Sequence, residues 1–331
     1  MSRIDKKMID RLQITKPVAS EFKQFEADFA QTLHNETPLL HSAIQHALHV
    51  NGKHIRPLLL LLTAKTCGMP TKMTQDTAVI IEILHTTTLI HDDVIDETKQ
   101  RRGVPSLNAV FDNRIAVLTG DYLLSCAILN AAEKGNILII KIIAQVCREL
   151  SEGELIQIDN TEKRSLDEED YLLMIRKKTG TLISACAEIG AISVKATPEI
   201  VSKCRSFGEL LGYCFQIKDD IFDYYDDTHI GKPTGNDIRE GKITLPLLYA
   251  LRNAPEKERL YYYNIINNQD FTPQNVAALI QFAKQHQGIE YAEKRLLAFK
   301  EKAVEIINSF PESEARNSLL LLADYFSIRT K

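Results

Sequence analysis

Tryptophan is absent from this 331-residue chain, and several larger features are missing with it. The longest leucine run, in "PLLLLLTA", is far below the ~20 residues a membrane-spanning helix needs, so a soluble protein is expected. The opening "MSRIDKKMIDRLQ" is charged and has no apolar h-region, so no signal peptide is expected. Neither sign of charge dominates. Forty basic and 44 acidic residues leave a net charge of -4 and a pI near 6.2, which gives no support to a nucleic-acid or membrane-surface role. Six cysteines, at 67, 126, 147, 186, 204 and 214, are scattered without a CxxC pair. Reduced core thiols in a cytoplasmic protein are the expectation. Proline is missing between Pro105 and Pro198, and no alternating β-pattern or Pro/Ser-rich linker interrupts the chain. These absences predict one all-α domain over 1–331, with residues 1–19 peripheral.

Helical periodicity fills most of what remains. "FKQFEADFAQTL" repeats apolar residues at three and four, and "RPLLLLLTAKTCG" continues a helix past a proline near its first turn. "TQDTAVIIEILHTTTLIHDDVID" is apolar on most sides and is expected to be central. "GDYLLSCAILNAAEKG" and "ILIIKIIAQVCRELSEGELIQID" follow, with Gly135 as the stop between them. "LDEEDYLLMIRKKTGTLISACAEIGA" opens on an acidic cluster suited to a first helical turn. Helices of about 20 to 25 residues are roughly 30 to 38 Å long, enough to hold a deep interior cleft.

Two acidic triplets are expected to interrupt apolar helices. "DDVID" supplies Asp92, Asp93 and Asp96; "DDIFD" supplies Asp219, Asp220 and Asp223. On a helix the first and last of each share a face, and like charges at that spacing repel. One such triplet reads as a solvated helix end. Two, both embedded in apolar sequence, call for a compensating cation. Magnesium fits best, because it takes carboxylate oxygens and completes its shell with water and phosphate. Calcium in an EF-hand is excluded by the missing loop, and zinc held by His85, His91 and the aspartates is the weaker alternative. Basic residues beside glycines or at helix edges supply partners for phosphate: Lys53, Arg56, Arg101, Arg102, Lys178, Lys232 and Lys242. Singly each reads as a surface cation. Together with the triplets they suggest two anion sites, one bridged by metal and one held by basic side chains.

At this point the chain resembles the trans-isoprenyl diphosphate synthase family, the polyprenyl synthetases. The resemblance runs from about residue 20 to the end and rests on "NGKHIRP", "LHTTTLIHDDVIDETKQRRG", "GELIQ", "KKTGTL", "GYCFQIKDDIFDY" and "GKPTGNDIREGKITLPLLYAL". It implies a helical bundle of the isoprenoid synthase type with a central active-site cleft, and a homodimer. By the same resemblance, Asp92, Asp93, Asp96, Asp219, Asp220 and Asp223 hold three Mg2+ ions on an allylic diphosphate. Arg101, Lys178 and Lys242 touch that diphosphate, with Lys232 close by. Lys53, Arg56, His85 and Arg102 match the pocket for isopentenyl diphosphate. Thr179 and Gln216 match positions near the reacting carbons, Gln157 the "GExxQ" glutamine, and Asp237 an acid that orders the loop. Asn51 stands where the family usually has glycine, and His54 where arginine is common.

The reaction implied is ionisation of the allylic diphosphate, attack by the isopentenyl double bond, and loss of a proton to the departed diphosphate. A class I terpene cyclase ionises the same kind of substrate, but it has no need of "GKxxRP" and usually lacks a second full triplet. A non-catalytic regulatory subunit usually loses a triplet or several cations, and none is missing here. The growing tail is expected to run back from Asp92 past Thr88 and Thr87 to Leu84 and Ile81. Short-chain members commonly place Phe or Tyr at the position of Thr87 or Thr88. Small residues there favour a long-chain product, about C30–C40 with octaprenyl as the expected length, made from farnesyl diphosphate for a quinone side chain. Geranylgeranyl diphosphate is the runner-up product, and Leu123 or Leu124 are candidates for the tunnel floor.

Overall fold

The computed structural model describes residues 11–33, 35–49, 52–225 and 234–328. In chain order its helices are α1 (Arg11–Thr15), α2 (Ala19–Thr32), α3 (Pro38–His49), α4 (Ile55–Cys67), α5 (Lys72–Ile95), α6 (Leu107–Val110), α7 (Asn113–Glu133), α8 (Ile137–Lys163) and α9 (Glu168–Ile175). They continue with α10 (Thr181–Ser193), α11 (Pro198–Phe222), α12 (Asn236–Arg239), α13 (Leu245–Asn253), α14 (Glu256–Asn267), α15 (Pro273–Gln285), α16 (Gly288–Asn308) and α17 (Glu314–Ile328). One small antiparallel ladder, β1 (Gln100–Arg101) with β2 (Val104–Pro105), is the only sheet among the described residues. Periodicity had given no strand there. Arg102 and Gly103, both at positive φ, close this two-residue hairpin.

The chain divides into two compact units. The first comprises Met1–Gln145, Ala185–Arg205 and Ile307–Leu322. Its centre is α4 and α5. Leu58 to Leu62 are all buried, so α4 is apolar around its whole circumference. Pro57 lies in the first turn of α4, where no intrahelical N–H bond is lost. Helix α5 starts at a reciprocal cap: Thr71 Oγ1 accepts from the Thr74 N–H, and Thr74 Oγ1 accepts from the Thr71 N–H. At 24 residues it is about 36 Å long. Helices α2 and α7 pack against it. Helix α7 begins seven residues earlier than the sequence pattern suggested, because Asp112 caps it by accepting from the Ile115 N–H at 3.0 Å. Gly135, at φ 69°, follows its end as expected.

The second unit comprises Val146–Ser184, Ser206–Ile306 and Ala323–Lys331. Phe207, Leu211, Cys214, Ile217 and Ile221 of α11 recur at three- and four-residue steps and are all buried. The acidic-opening segment does not form one regular helix. Between α9 and α10, Arg176–Gly180 makes a single π-helical turn, closed by the Thr181 N–H donating to the Arg176 carbonyl. Glu149, Glu152 and Glu154 of α8 pair with Arg176, Lys177 and Lys178 along that turn. All six cysteines are free thiols; Cys67 and Cys204, both in the first unit, have their sulfurs 3.6 Å apart.

Candidate active site

Both triplets lie where a helix stops. Asp92 and Asp93 occupy the last turn of α5, and Asp96 is its C-cap. Asp219 and Asp220 occupy the last turn of α11, and Asp223 follows it. The negative end of the helix dipole adds to the mutual repulsion of the carboxylates. Further helix is disfavoured, which is why the triplets terminate their helices rather than interrupt them. In each triplet the middle aspartate is the buried one: Asp93 is 5% exposed and Asp220 3%.

In the first unit, Asp93 Oδ1 accepts from Arg101 Nε at 2.8 Å and lies 2.7 Å from Nη2. The Asp93 carbonyl accepts from the Thr98 N–H and from Asn108 Nδ2. The hairpin thereby hangs from the end of α5 and carries Arg101 and Arg102. One cavity brings together His85, Asp93, Arg101 and Arg102. Arg56 Nη1 lies 2.8 Å from His85 Nε2. Burial, together with the charges of Arg56, Arg102 and Arg101, pushes the His85 imidazole well below its ordinary pKa. His85 is therefore neutral, with Nε2 accepting from Arg56 and the proton on Nδ1. Lys53 is exposed at the start of α4.

In the second unit, Tyr171 Oη donates to Asp220 Oδ2 at 2.6 Å, and Gln216 Nε2 donates to Asp220 Oδ1 at 2.9 Å. Thr179 Oγ1 donates to Gln216 Oε1 at 2.7 Å. Lys178 Nζ reaches Glu154 Oε2 at 2.7 Å and Gln157 Oε1 at 3.0 Å. Asp223 accepts from the Asn236 and Asp237 N–H groups. A cavity of about 170 Å³ is lined by Gln157, Lys178, Gln216, Asp220, Asp237 and Lys242. The π-turn that presents Lys178 and Thr179 touches α11 backbone to backbone: a Cβ on Gly212 would lie 2.5 Å from Gly180 Cα.

Burial raises the Asp220 carboxyl to about 6, with Asp219 and Asp223 adding repulsion. Burial and the charges of Asp220 and Asp223 raise Asp237 to about 8. A carboxylate set under this strain, with only oxygen donors, fits a hard divalent cation. Among the described residues no three His, Cys, Asp or Glu side chains converge into a ready-made cage. The zinc alternative has no such support: His85 Nε2 is engaged by Arg56, and His91 Nε2 lies 3.4 Å from Asp121 and from the Val117 carbonyl.

Thus the first unit brings together Arg56, His85, Asp93, Arg101 and Arg102, and the second brings together Gln157, Lys178, Thr179, Gln216, Asp220 and Lys242. Lys232 and Asn51 lie outside the described residues. Sequence reasoning missed Tyr171 and Glu154. The "GELIQ" spacing held a signal for Glu154, since it lies three residues before Gln157 on one helix face. Nothing local marks Tyr171, which reaches Asp220 across 49 residues of sequence.

The profile of the polyprenyl synthetase family matches residues 37–283. The chain belongs to the polyprenyl synthetase family. It is 35% identical over 312 residues to an all-trans-nonaprenyl-diphosphate synthase (geranyl-diphosphate specific) of Rhodobacter capsulatus, covering 93% of this chain and 95% of that one. Among solved structures, a geranylgeranyl pyrophosphate synthase from Bacteroides thetaiotaomicron superposes with a TM-score of 0.83 at 39% identity, covering 96% and 98% of the two chains. A polyprenyl synthase from Caulobacter crescentus, complexed with calcium and isoprenyl diphosphate, superposes with a TM-score of 0.89 at 27% identity, covering 96% and 98%. The fold is the all-α helical bundle of isoprenoid synthases. The polyprenyl synthetase is accordingly a Mg2+-dependent prenyltransferase, a trans-polyprenyl diphosphate synthase that condenses isoprenoid diphosphates head to tail.

Proposed function

We propose that this synthase makes a long chain, about C30–C40 and octaprenyl in the favoured case, from farnesyl diphosphate and successive isopentenyl diphosphates. The observation that carries the reading is the buried face below Asp92. Thr88, Leu84 and Ile81 lie four, eight and eleven residues before Asp92, along one side of α5, with Thr87 beside them. Thr87, Leu84 and Ile81 are buried, and the Thr87 and Thr88 hydroxyls turn back onto α5 carbonyls. Only small side chains guard the head of that face. The relative named for a nonaprenyl product, C45, supports a long chain but neither this length nor the farnesyl primer. A C20 product is the second reading, favoured by the 39% identity to a geranylgeranyl synthase.

In this proposal the whole chain acts as one synthase domain, with residues 1–19 peripheral, as a cytoplasmic homodimer. Asp92, Asp93, Asp96, Asp219, Asp220 and Asp223 would hold Mg2+, three ions in this reading, which would supply positive charge to offset that of the diphosphate. Arg101, Lys178, Lys242 and Lys232 bind that diphosphate directly and steady the charge that develops as the C–O bond breaks. Thr179 Oγ1 and Gln216 direct their dipoles at the allylic cation. Apolar walls keep water from quenching it. Lys53, Arg56, His85 and Arg102 hold isopentenyl diphosphate so that its double bond attacks, and the departed diphosphate takes the proton. Support for the dimer comes from α7, where Leu118 and Leu129 are 67% and 60% exposed. That helix is also the one among the described residues long and apolar enough to cross a membrane. The test is incubation with farnesyl diphosphate, excess isopentenyl diphosphate and Mg2+, then chain-length analysis of the dephosphorylated products. Products of thirty to forty carbons support the long-chain reading; a stop at twenty overturns it for the second.

A further inference from the structure

In the first unit a buried carboxylate stands beside a pocket suited to an anion. Glu82, on α5 three residues before His85, lines the same cavity as Arg101 and Arg102. A negative charge there repels a diphosphate, so its presence needs another reason. Glu82 Oε1 lies 2.8 Å from His54 Nδ1, and both side chains are nearly enclosed. Its Oε2 is buried with no hydrogen-bond partner among the described residues. His54 is the N-cap of α4 and sits at φ 44°, ψ 44°, a left-handed conformation uncommon outside glycine. Its ring meets Phe25 and Phe29 of α2 edge-on, at 5.4 and 5.8 Å. On one side of it the guanidinium of Arg102 lies over Gly52, where a Cβ would come within 2.7 Å of Nη1. On the other, Arg56 reaches His85.

Two rungs therefore tie the start of α4 to one face of α5: His54 to Glu82, and Arg56 to His85. The Glu82 charge also offsets the mutual repulsion of Arg101 and Arg102. We propose that Glu82 and His54 are positioning residues for the isopentenyl diphosphate pocket. Glu82 clamps the His54 ring, and the clamped left-handed turn aims Lys53 and Arg56 at the second diphosphate. The inference rests on the assignment of Lys53, Arg56, His85 and Arg102 to that pocket.

The experiment is steady-state kinetics on the full chain with each substrate varied in turn, for Glu82→Ala, His54→Ala, His54→Arg and the Glu82→Ala/His54→Ala double variant, with Arg56→Ala as control. Either rung-breaking single variant should raise the KM for isopentenyl diphosphate about tenfold while the KM for the allylic primer stays within about twofold. The double variant should be no worse than the worse single, because one rung is lost only once. His54→Arg, which keeps a donor for Glu82, should restore most of the affinity. Unchanged isopentenyl KM in both single variants, or an equal rise in both KM values, overturns the proposal. If Arg56→Ala raises the isopentenyl KM in that case, the pocket assignment survives; if it does not, the assignment falls as well.

Discussion

At the scale of single residues, the middle aspartate of each triplet is rooted and the outer two are more open. Asp219→Ala or Asp92→Ala should reduce turnover on the order of a hundred- to a thousandfold, with the circular dichroism spectrum and melting curve unchanged. Near-normal turnover in either would remove the metal-clamp assignment. Tyr171→Phe deletes one hydrogen bond to Asp220, a bond between a neutral donor and a charged acceptor worth roughly 1.5–3 kcal/mol. We expect about tenfold slower turnover and weaker Mg2+ dependence of binding, read from a metal titration. The raised carboxyls also set a pH dependence for the metal-free protein. Asp220 and Asp237 titrate near 6 and 8 in the fold against about 3.8 unfolded, so the folded state holds more protons in between. Stability should therefore fall as pH rises from about 4 to 8 and level off above that. Thermal melts should show that slope, and Mg2+ with inorganic diphosphate should flatten it.

At the scale of elements, the helical readings held because a 3.6-residue apolar repeat is a local property. "RPLLLLLTAKTCG" and "TQDTAVIIEILHTTTLIHDDVID" became α4 and α5 with little change. Features set by distant partners were not legible. The π-turn at Arg176–Gly180 depends on glutamates of α8 some twenty-five residues earlier, and no periodicity in "RKKTG" announces it. The identities of Lys178, Thr179 and Gln216 could be read from the motifs. That Thr179 donates to Gln216, and Gln216 to Asp220, could not. The π-turn is also tightly seated. Gly212→Ala forces its Cβ into Gly180 backbone, so it should cost about 1–3 kcal/mol, visible as a lower melting temperature, and it should slow turnover by displacing Lys178. On α5, Thr87→Phe should shorten the product by one or more isoprene units in a chain-length assay. An unchanged product would show that the tail takes another path.

At the scale of the whole molecule, composition excluded more than it identified, and the repeated triplet supplied the identity. The proposed dimer rests on Leu118 and Leu129, which share one exposed face of α7 away from the repeat of its buried residues. Leu118→Glu should shift the mass in light scattering from two chains to one, and an unchanged mass would place the dimer contact elsewhere. A last consequence comes from how the phosphate-binding cations are occupied. Arg101 pairs with Asp93, Lys178 with Glu154 and Lys242 with Glu240. Each of these three cations is thus paired at rest within its own unit. If these cations bind diphosphate as proposed, an arriving substrate must displace the carboxylates that hold them.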